Sequence, residues 1–175
     1  MSGVFSRMSV ELAVVSDTHV PSREARIPDW VAGRIRAADH VVHAGDFDSP
    51  DAYDRVVELA GGAGNLTAVL GNIDPRSFDL PEVTTLSVED ALFVVTHGSG
   101  PREGYRERVA GAVRESGGPD AVGISGHTHE VMDEAFDGVR LLNPGSATGA
   151  SPATEATMLT VTVEGSDVSA TLHRE

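Results

Sequence analysis

Seven side chains of metal-ligating type stand in five short clusters: Asp17 with His19, Asp46, Asn72, His97, and His127 with His129. Each cluster follows a short strand-like run: Leu12 to Val15, His40 to His43, Leu66 to Leu70, Ala91 to Thr96, and Ala121 to Ile124. Open α/β sheets place their ligands at the carboxyl ends of strands. Asp17 and His19 are two residues apart, and alternate residues of an extended chain point the same way, so both are expected to face one ion. Four of the 7 histidines fall at these ends. Gly45, Gly71, Gly98 and Gly126 sit beside the clusters, as expected where backbone must approach closely. Seven ligands exceed what one site with an open position takes, so the set predicts two ions, with Asp46 bridging them. Imidazole, carboxylate and amide oxygen together suit Mn²⁺, Fe²⁺, Zn²⁺ or Ni²⁺, and Mg²⁺ less well. Two such ions about 3.5–4 Å apart lower the pKa of a bridging water and clamp both oxygens of an in-line displacement at phosphorus.

The chain must bring these strand ends together. Pro28 and Asp29 open a helix whose apolar positions Trp30, Val31, Ile35 and Ala38 recur at helical spacing. Ser49-Pro50 caps a second helix, Asp51 to Leu59, which stops at Gly61-Gly62. After a loop from Pro75 to Pro81 the pattern changes. Val83 to Val88 and Ala91 to Thr96 predict an antiparallel pair around Glu89-Asp90. Glu103 to Glu115 predicts a helix with Tyr105, Val109, Ala112 and Val113 on its inner face. Asp137-Gly138 joins a hairpin, Val131 to Phe136 and Val139 to Leu142, and Gly165-Ser166 joins a last pair, Glu155 to Val163 and Val168 to His173. A βαβαβ half followed by a β-rich half implies one α/β domain over residues 1–175, with two sheets face to face and helices outside. Met1 to Met8 reads as a loose lead-in without the apolar core of a signal peptide.

Composition bounds the chemistry further. There is no cysteine, which excludes thiolate metal sites and disulfides. The net charge is −14, with 27 acidic residues against 13 basic ones, and every basic one is Arg. That acidic balance argues against stable nucleic-acid binding, which needs a basic footprint. Bound cations would supply the positive charge a phosphate ester needs here. No apolar run reaches the roughly 18 residues that span a membrane, so a cytoplasmic location is expected. Excess acid without Lys reads as adaptation to a salt-rich, halophilic cytoplasm. Self-repulsion is then expected to unfold the chain at low ionic strength, and a melting temperature unchanged between dilute buffer and molar KCl would contradict this.

Ser16-Asp17-Thr18-His19, Gly45-Asp46, Gly71-Asn72-Ile73-Asp74, His97-Gly98 and Gly126-His127-Thr128-His129, in this order, resemble the five blocks of the calcineurin-like metallophosphoesterases. With Asn143-Pro144-Gly145-Ser146 and the short length, the chain is similar to the small bacterial and archaeal phosphodiesterase branch. The resemblance implies a four-layer αββα sandwich of two mixed sheets, the metallo-dependent phosphatase fold. It implies one ion on Asp17, His19, Asp46 and His129 and another on Asp46, Asn72, His97 and His127, with Mn²⁺ as the leading candidate. Asp46, Asn72 and His97 then form the catalytic set, joined by Asp74 as a group orienting a ligand or metal-held water. The implied reaction is hydrolysis of a small phosphodiester by a metal-bridging hydroxide. The alternatives are a phosphomonoesterase on a small phosphorylated metabolite, and a protein-binding scaffold of the same fold like a eukaryotic retromer subunit. One position departs from the family pattern: Ile73 stands where many members carry a His that protonates the leaving group or holds the phosphate. Outside the ligand set, His43, Asp48, Arg23 and Arg102 read as a packed His, a helix-start carboxylate and two solvated guanidiniums, and His40 and His173 as structural. Exposed strands in the β-rich half are compatible with a homodimer.

Overall fold

A computed structural model describes residues 9–175, and the expected lead-in, Met1 to Met8, lies outside the described residues. Strand β1 (Val10–Val15), helix α1 (Asp29–Ala37), β2 (His40–His43), α2 (Pro50–Ala60) and β3 (Leu66–Ala68) form the first half. The second holds β4 (Val83–Val88), β5 (Ala91–Thr96), α3 (Tyr105–Gly117), β6 (Val122–Ile124), β7 (Val131–Phe136), β8 (Val139–Pro144), β9 (Thr157–Glu164) and β10 (Asp167–Arg174). Two five-stranded mixed sheets result, in the orders β10-β9-β1-β2-β3 and β4-β5-β6-β8-β7. The chain's last hairpin therefore returns to the first sheet, where β9 pairs antiparallel with β1 (Val14 opposite Leu159) while β2 pairs with β1 in parallel.

The layering follows from side-chain alternation. Leu12 and Val14 of β1 face the inter-sheet core with Val42, Phe93, Val95, Ile124, Leu142 and Val161. Ala13 and Val15 face the other way, against Val31 and Ile35 of α1 and Val56 and Leu59 of α2. On the far side of the second sheet, Val94 and Leu141 pack on Tyr105, Val109 and Val113 of α3. The order α, β, β, α is the expected four-layer sandwich. β1 is apolar on consecutive residues because both of its faces are covered. Each buried Val or Leu contributes roughly 1.5–3 kcal/mol, so the strands that end in ligand-type residues are firmly anchored.

Two element ends and one helix face near the site differ from the sequence expectation. β3 stops at Ala68, because Leu70 leaves the ladder and its N–H donates to Pro81 O at 2.9 Å. The chain thereby turns toward Asp46. α3 begins at Tyr105 because Gly104, with φ +76°, ends the preceding loop in a left-handed turn. On α3 it is Ala110 that is buried, while Ala112 is half-exposed and lines a cleft.

Candidate metal centre

The turns after the strands are not extended. Asp17, His19, Asp46, His127 and His129 have φ of 53°, 46°, 66°, 74° and 62°. This corrects the expected alternation: Asp17 and His19 converge because both backbones are left-handed. Such a conformation costs roughly 1–2 kcal/mol in a non-glycine residue and persists only where its surroundings enforce it. Here Asp17 N–H donates to Gly45 O (3.0 Å) and His19 N–H to Asp46 O (3.1 Å), so the exits of β1 and β2 run side by side. In the second sheet the exits of β5 and β6 are joined in the same way, Gly126 N–H donating to His97 O at 3.2 Å. A Cβ on Gly126 would collide with Ser16 Oγ and sit 2.7 Å from Asp17 Oδ2, which is why this turn needs glycine.

The orientation of each imidazole follows from what its other nitrogen touches. His19 Nδ1 lies 2.9 Å from Asp48 Oδ1 and His129 Nδ1 lies 2.8 Å from Ala150 O. Both partners only accept, so both rings carry their hydrogen on Nδ1 and present bare Nε2 atoms. Those two bare atoms face each other at 3.2 Å. Asp17 Oδ1 stands 3.3 Å from His129 Nε2 and 3.7 Å from His19 Nε2, is buried, and has no hydrogen-bond partner. Its other oxygen, Oδ2, accepts from Ser16 Oγ (2.6 Å) and from the His127 N–H (3.0 Å). An unpaired buried carboxylate oxygen facing ring lone pairs is costly unless a cation lies among them. The donor set therefore fits a metal ion.

A second cluster adjoins it. His97 Nδ1 donates to Ala44 O (2.7 Å), which leaves Nε2 as its ligand position, 3.1 Å from Asp46 Oδ2 and 3.0 Å from Asn72 Oδ1. His127 Nε2 lies 2.8 Å from Gly100 O and Nδ1 3.1 Å from the same Asn72 oxygen, so Nδ1 is the ring atom turned toward the cluster. Asp46 Oδ2 also lies 3.6 Å from His19 Nε2, so this carboxylate stands between the two clusters. Asp17 does so as well: its carboxylate joins one potential ligand group with His19 and His129 and another with Asp46 and His97.

Without a cation, protons carry the charge balance. Burial works against an ionised Asp17, but the adjoining imidazoles of His129, His19 and His97 outweigh it and hold the carboxyl far below its usual range. Asp46 is lowered in the same way, burial opposing and His97 prevailing. His97 is correspondingly raised to about 9, since Asp46 and Asp17 overcome the cost of its burial. His19 is raised by Asp17 and Asp48 against burial. A metal ion must displace these protons, so affinity rises with pH.

The structure brings together all seven ligand candidates, and it reassigns several neighbours. Asp74, expected in the catalytic set, spends its carboxylate on backbone: Oδ2 accepts from Asp46 N (2.8 Å) and Gly71 N (2.9 Å), and Oδ1 from Asp48 N (3.0 Å). It positions the Asp46 and Asp48 turns. Asp48 is more than a helix-start carboxylate, because it fixes the His19 tautomer. Replacing Asp48 by Ala is expected to weaken divalent-ion binding about 10–100-fold, read by calorimetry, with folding retained. His43 is fully buried, stacked 3.5 Å from Phe47, and pushed down to about 3 by burial, so it stays neutral as a packed His. Arg23 Nη1 donates to Ser151 O, and Arg102 pairs with Glu130, so neither is directed at the site. Asn143 to Ser146 form a brace between the sheets: Asn143 Nδ2 donates to Gly126 O (3.0 Å), and Ser146 Oγ to Asp17 O (2.7 Å). Beside Asn72 and His97 opens a cleft of about 440 Å³ whose walls include Arg76, Ser99 and Arg108.

Comparison with known proteins agrees with this geometry. Residues 10–166 match the calcineurin-like phosphoesterase superfamily domain. A Methanothermobacter thermautotrophicus protein named "Probable metallophosphoesterase" is 30% identical over 164 residues, 93% of this chain and 91% of its own length. A phosphodiesterase of Methanocaldococcus jannaschii is 28% identical over 80% of this chain and 86% of its own length. Among solved structures, Entamoeba histolytica Vps29 complexed with Zn²⁺ is 26% identical with a TM-score of 0.75, covering 95% of this chain and 98% of its own. Turns that gather carboxylates and bare imidazoles at one edge of a four-layer sandwich, together with these matches, place the chain in the calcineurin-like phosphoesterase superfamily.

Proposed function

We propose that this protein hydrolyses phosphodiester bonds with the help of two divalent cations, Mn²⁺ foremost. The observation that carries the reading is the pair of bare imidazole nitrogens, on His19 and His129, facing each other beside the unpartnered Asp17 Oδ1. Asp17, His19, Asp46 and His129 would hold one ion, and Asp46, Asn72, His97 and His127 the other. Bound there, the ions would supply Lewis acidity toward phosphoryl oxygens and acidify a bound water. The chain's own part is orientation and exclusion. Asp48, Ala44 O, Gly100 O and Ala150 O fix the four imidazole tautomers. Asn72 and His97 face both the ligand cluster and the cleft, so a phosphate ester enters along that wall. The substrate is a small phosphate ester handled in the cytoplasm. A complete set of seven ligand residues favours this reading over a scaffold.

Ile73 shapes the expected specificity. Its side chain is 45% exposed and carries no proton to give, while its N–H donates to Asp46 Oδ1 at 2.9 Å. It serves the site through backbone alone. Absence of a general acid forgoes about 10²–10⁴-fold on poor leaving groups. Bis-p-nitrophenyl phosphate is therefore expected to be turned over faster than alkyl phosphomonoesters. A screen of aryl and alkyl mono- and diesters with Mn²⁺, Ni²⁺, Zn²⁺ and Mg²⁺ in molar salt tests this. Faster turnover of the alkyl monoesters would overturn the diesterase reading, and no metal-dependent hydrolysis at all would overturn the hydrolase.

A further inference from the structure

We propose that Arg108 of α3 is a positioning residue for His127, acting through the loop that links β5 to α3. The inference rests on His127 being a ligand of the second cluster. Among the described residues Arg108 has no carboxylate partner. Its guanidinium faces backbone carbonyls instead: Nη2 donates to Gly98 O (3.0 Å) and Pro101 O (2.9 Å), and Nη1 reaches Glu103 O at 3.4 Å. The loop is wound around this fork. Gly100, at φ +127°, lies so close that a Cβ there would stand 3.0 Å from Arg108 Cζ and 3.2 Å from Nε. Nε is buried by this packing and has no partner.

Burying an unpaired guanidinium N–H is costly. A helix needing only packing at this position would carry an aliphatic side chain. Arginine suits the place because its planar fork reaches several carbonyls at once. The loop so held presents one atom to the site. Gly100 O, between the two carbonyls that Arg108 Nη2 grips, accepts from His127 Nε2 at 2.8 Å. That contact, the shorter of the ring's two, anchors Nε2 and turns Nδ1 toward Asn72. His127 is half-exposed, whereas His19, His97 and His129 are buried. The carbonyl is thus the principal restraint on its ring. If the loop loosens, His127 is free to flip its ring or exchange tautomers, and the second cluster loses a ligand atom. The first cluster, set by Asp48 and Ala150, is untouched.

The test compares wild type with Arg108→Met and Arg108→Lys, all checked for folding by circular dichroism. ¹⁵N-edited imidazole spectra of the metal-free proteins read the tautomer of His127, with His19 and His129 as internal controls. Wild type is expected to show the Nε2–H form, and Arg108→Met a mixture at His127 alone. Calorimetric titration with Mn²⁺ or Zn²⁺ is expected to show the weaker binding step falling about 10–100-fold in Arg108→Met, with the tighter step unchanged. Arg108→Lys keeps the charge without the fork and should behave like Arg108→Met. It also serves as the reporter should Arg108→Met fail to fold. A wild-type His127 spectrum in either folded variant would overturn the proposal, as would full restoration by Lys. The spectra need no metal, so a failure of the hydrolase reading remains distinguishable from a failure of this one.

Discussion

Asp46→Ala is expected to abolish metal-dependent hydrolysis, lowering kcat/KM by on the order of 10³-fold or more. Asp46 Oδ2 lies 3.1 Å from His97 Nε2 and 3.6 Å from His19 Nε2, so one side chain serves both clusters. Its other oxygen holds the Ile73 N–H and with it the Asn72 turn. Truncation removes a shared negative ligand, releases Asn72, and leaves His97 without the charge that raises its pKa. Lewis-acid stabilisation of a phosphoryl transition state is worth several kcal/mol, and each 1.36 kcal/mol is tenfold in rate. Steady-state turnover of bis-p-nitrophenyl phosphate and calorimetric ion binding, measured beside His97→Ala, check the prediction. Rates equal to wild type in both variants would mean that this cluster does no chemistry.

Gly71→Ala is expected to cost nearly as much activity, and stability as well, although it adds a single methyl. The backbone conformation at Gly71 is open to any residue, since its φ is not positive. Space is what forbids a side chain. A Cβ would collide with the Asp46 carboxylate and backbone N and lie 2.7 Å from Asp46 Cγ. The backbone of Gly71 also runs close to Gly45, where a built Cβ would stand only 2.8 Å from Gly71 N. Overpacking of this kind costs about 1–3 kcal/mol. For a chain of this size the upper value corresponds to a fall in Tm of roughly 6–12 °C. Gly111→Ala is the matching control. On the exposed side of α3 its new methyl meets nothing within 4 Å, and helix propensity predicts a gain of up to about 1 kcal/mol. Thermal melts of the two variants should move in opposite directions, and a Gly71→Ala melt matching wild type with intact ion binding would refute the packing argument.

Much of this site was legible from residue types alone. Strands ending in Asp, His or Asn, each with a glycine alongside, announced both the edge where ligands gather and the close backbone approach that Gly71 and Gly126 display. Periodicity located the ten strands and three helices of the described residues, with errors at their ends and on one face of α3. What stayed hidden was orientation. Asp48 and His19 are 29 residues apart, and nothing in either segment signals that one would fix the other's tautomer. The left-handed turns at Asp17, His19, Asp46, His127 and His129 were equally silent, because residue type favours that conformation only weakly outside glycine. Asp74 illustrates the same gap. A carboxylate two residues after a ligand suggests chemistry, yet its oxygens close three amides of the turns it braces. Residue type tells which atoms can bind an ion. It does not tell which of them the backbone will claim first.

The division of ligands between the two sheets has a mechanical consequence. Asp17, His19, Asp46 and Asn72 leave the first sheet, whereas His97, His127 and His129 leave the second, and His19 meets His129 across 110 residues. A cation gripped from both sides closes that span as a covalent cross-link would. Loop closure on this scale removes about 4–5 kcal/mol of disorder from an unfolded chain. In a cysteine-free protein with a net charge of −14, divalent ions held there would act as staples, and resistance to unfolding would climb with their concentration.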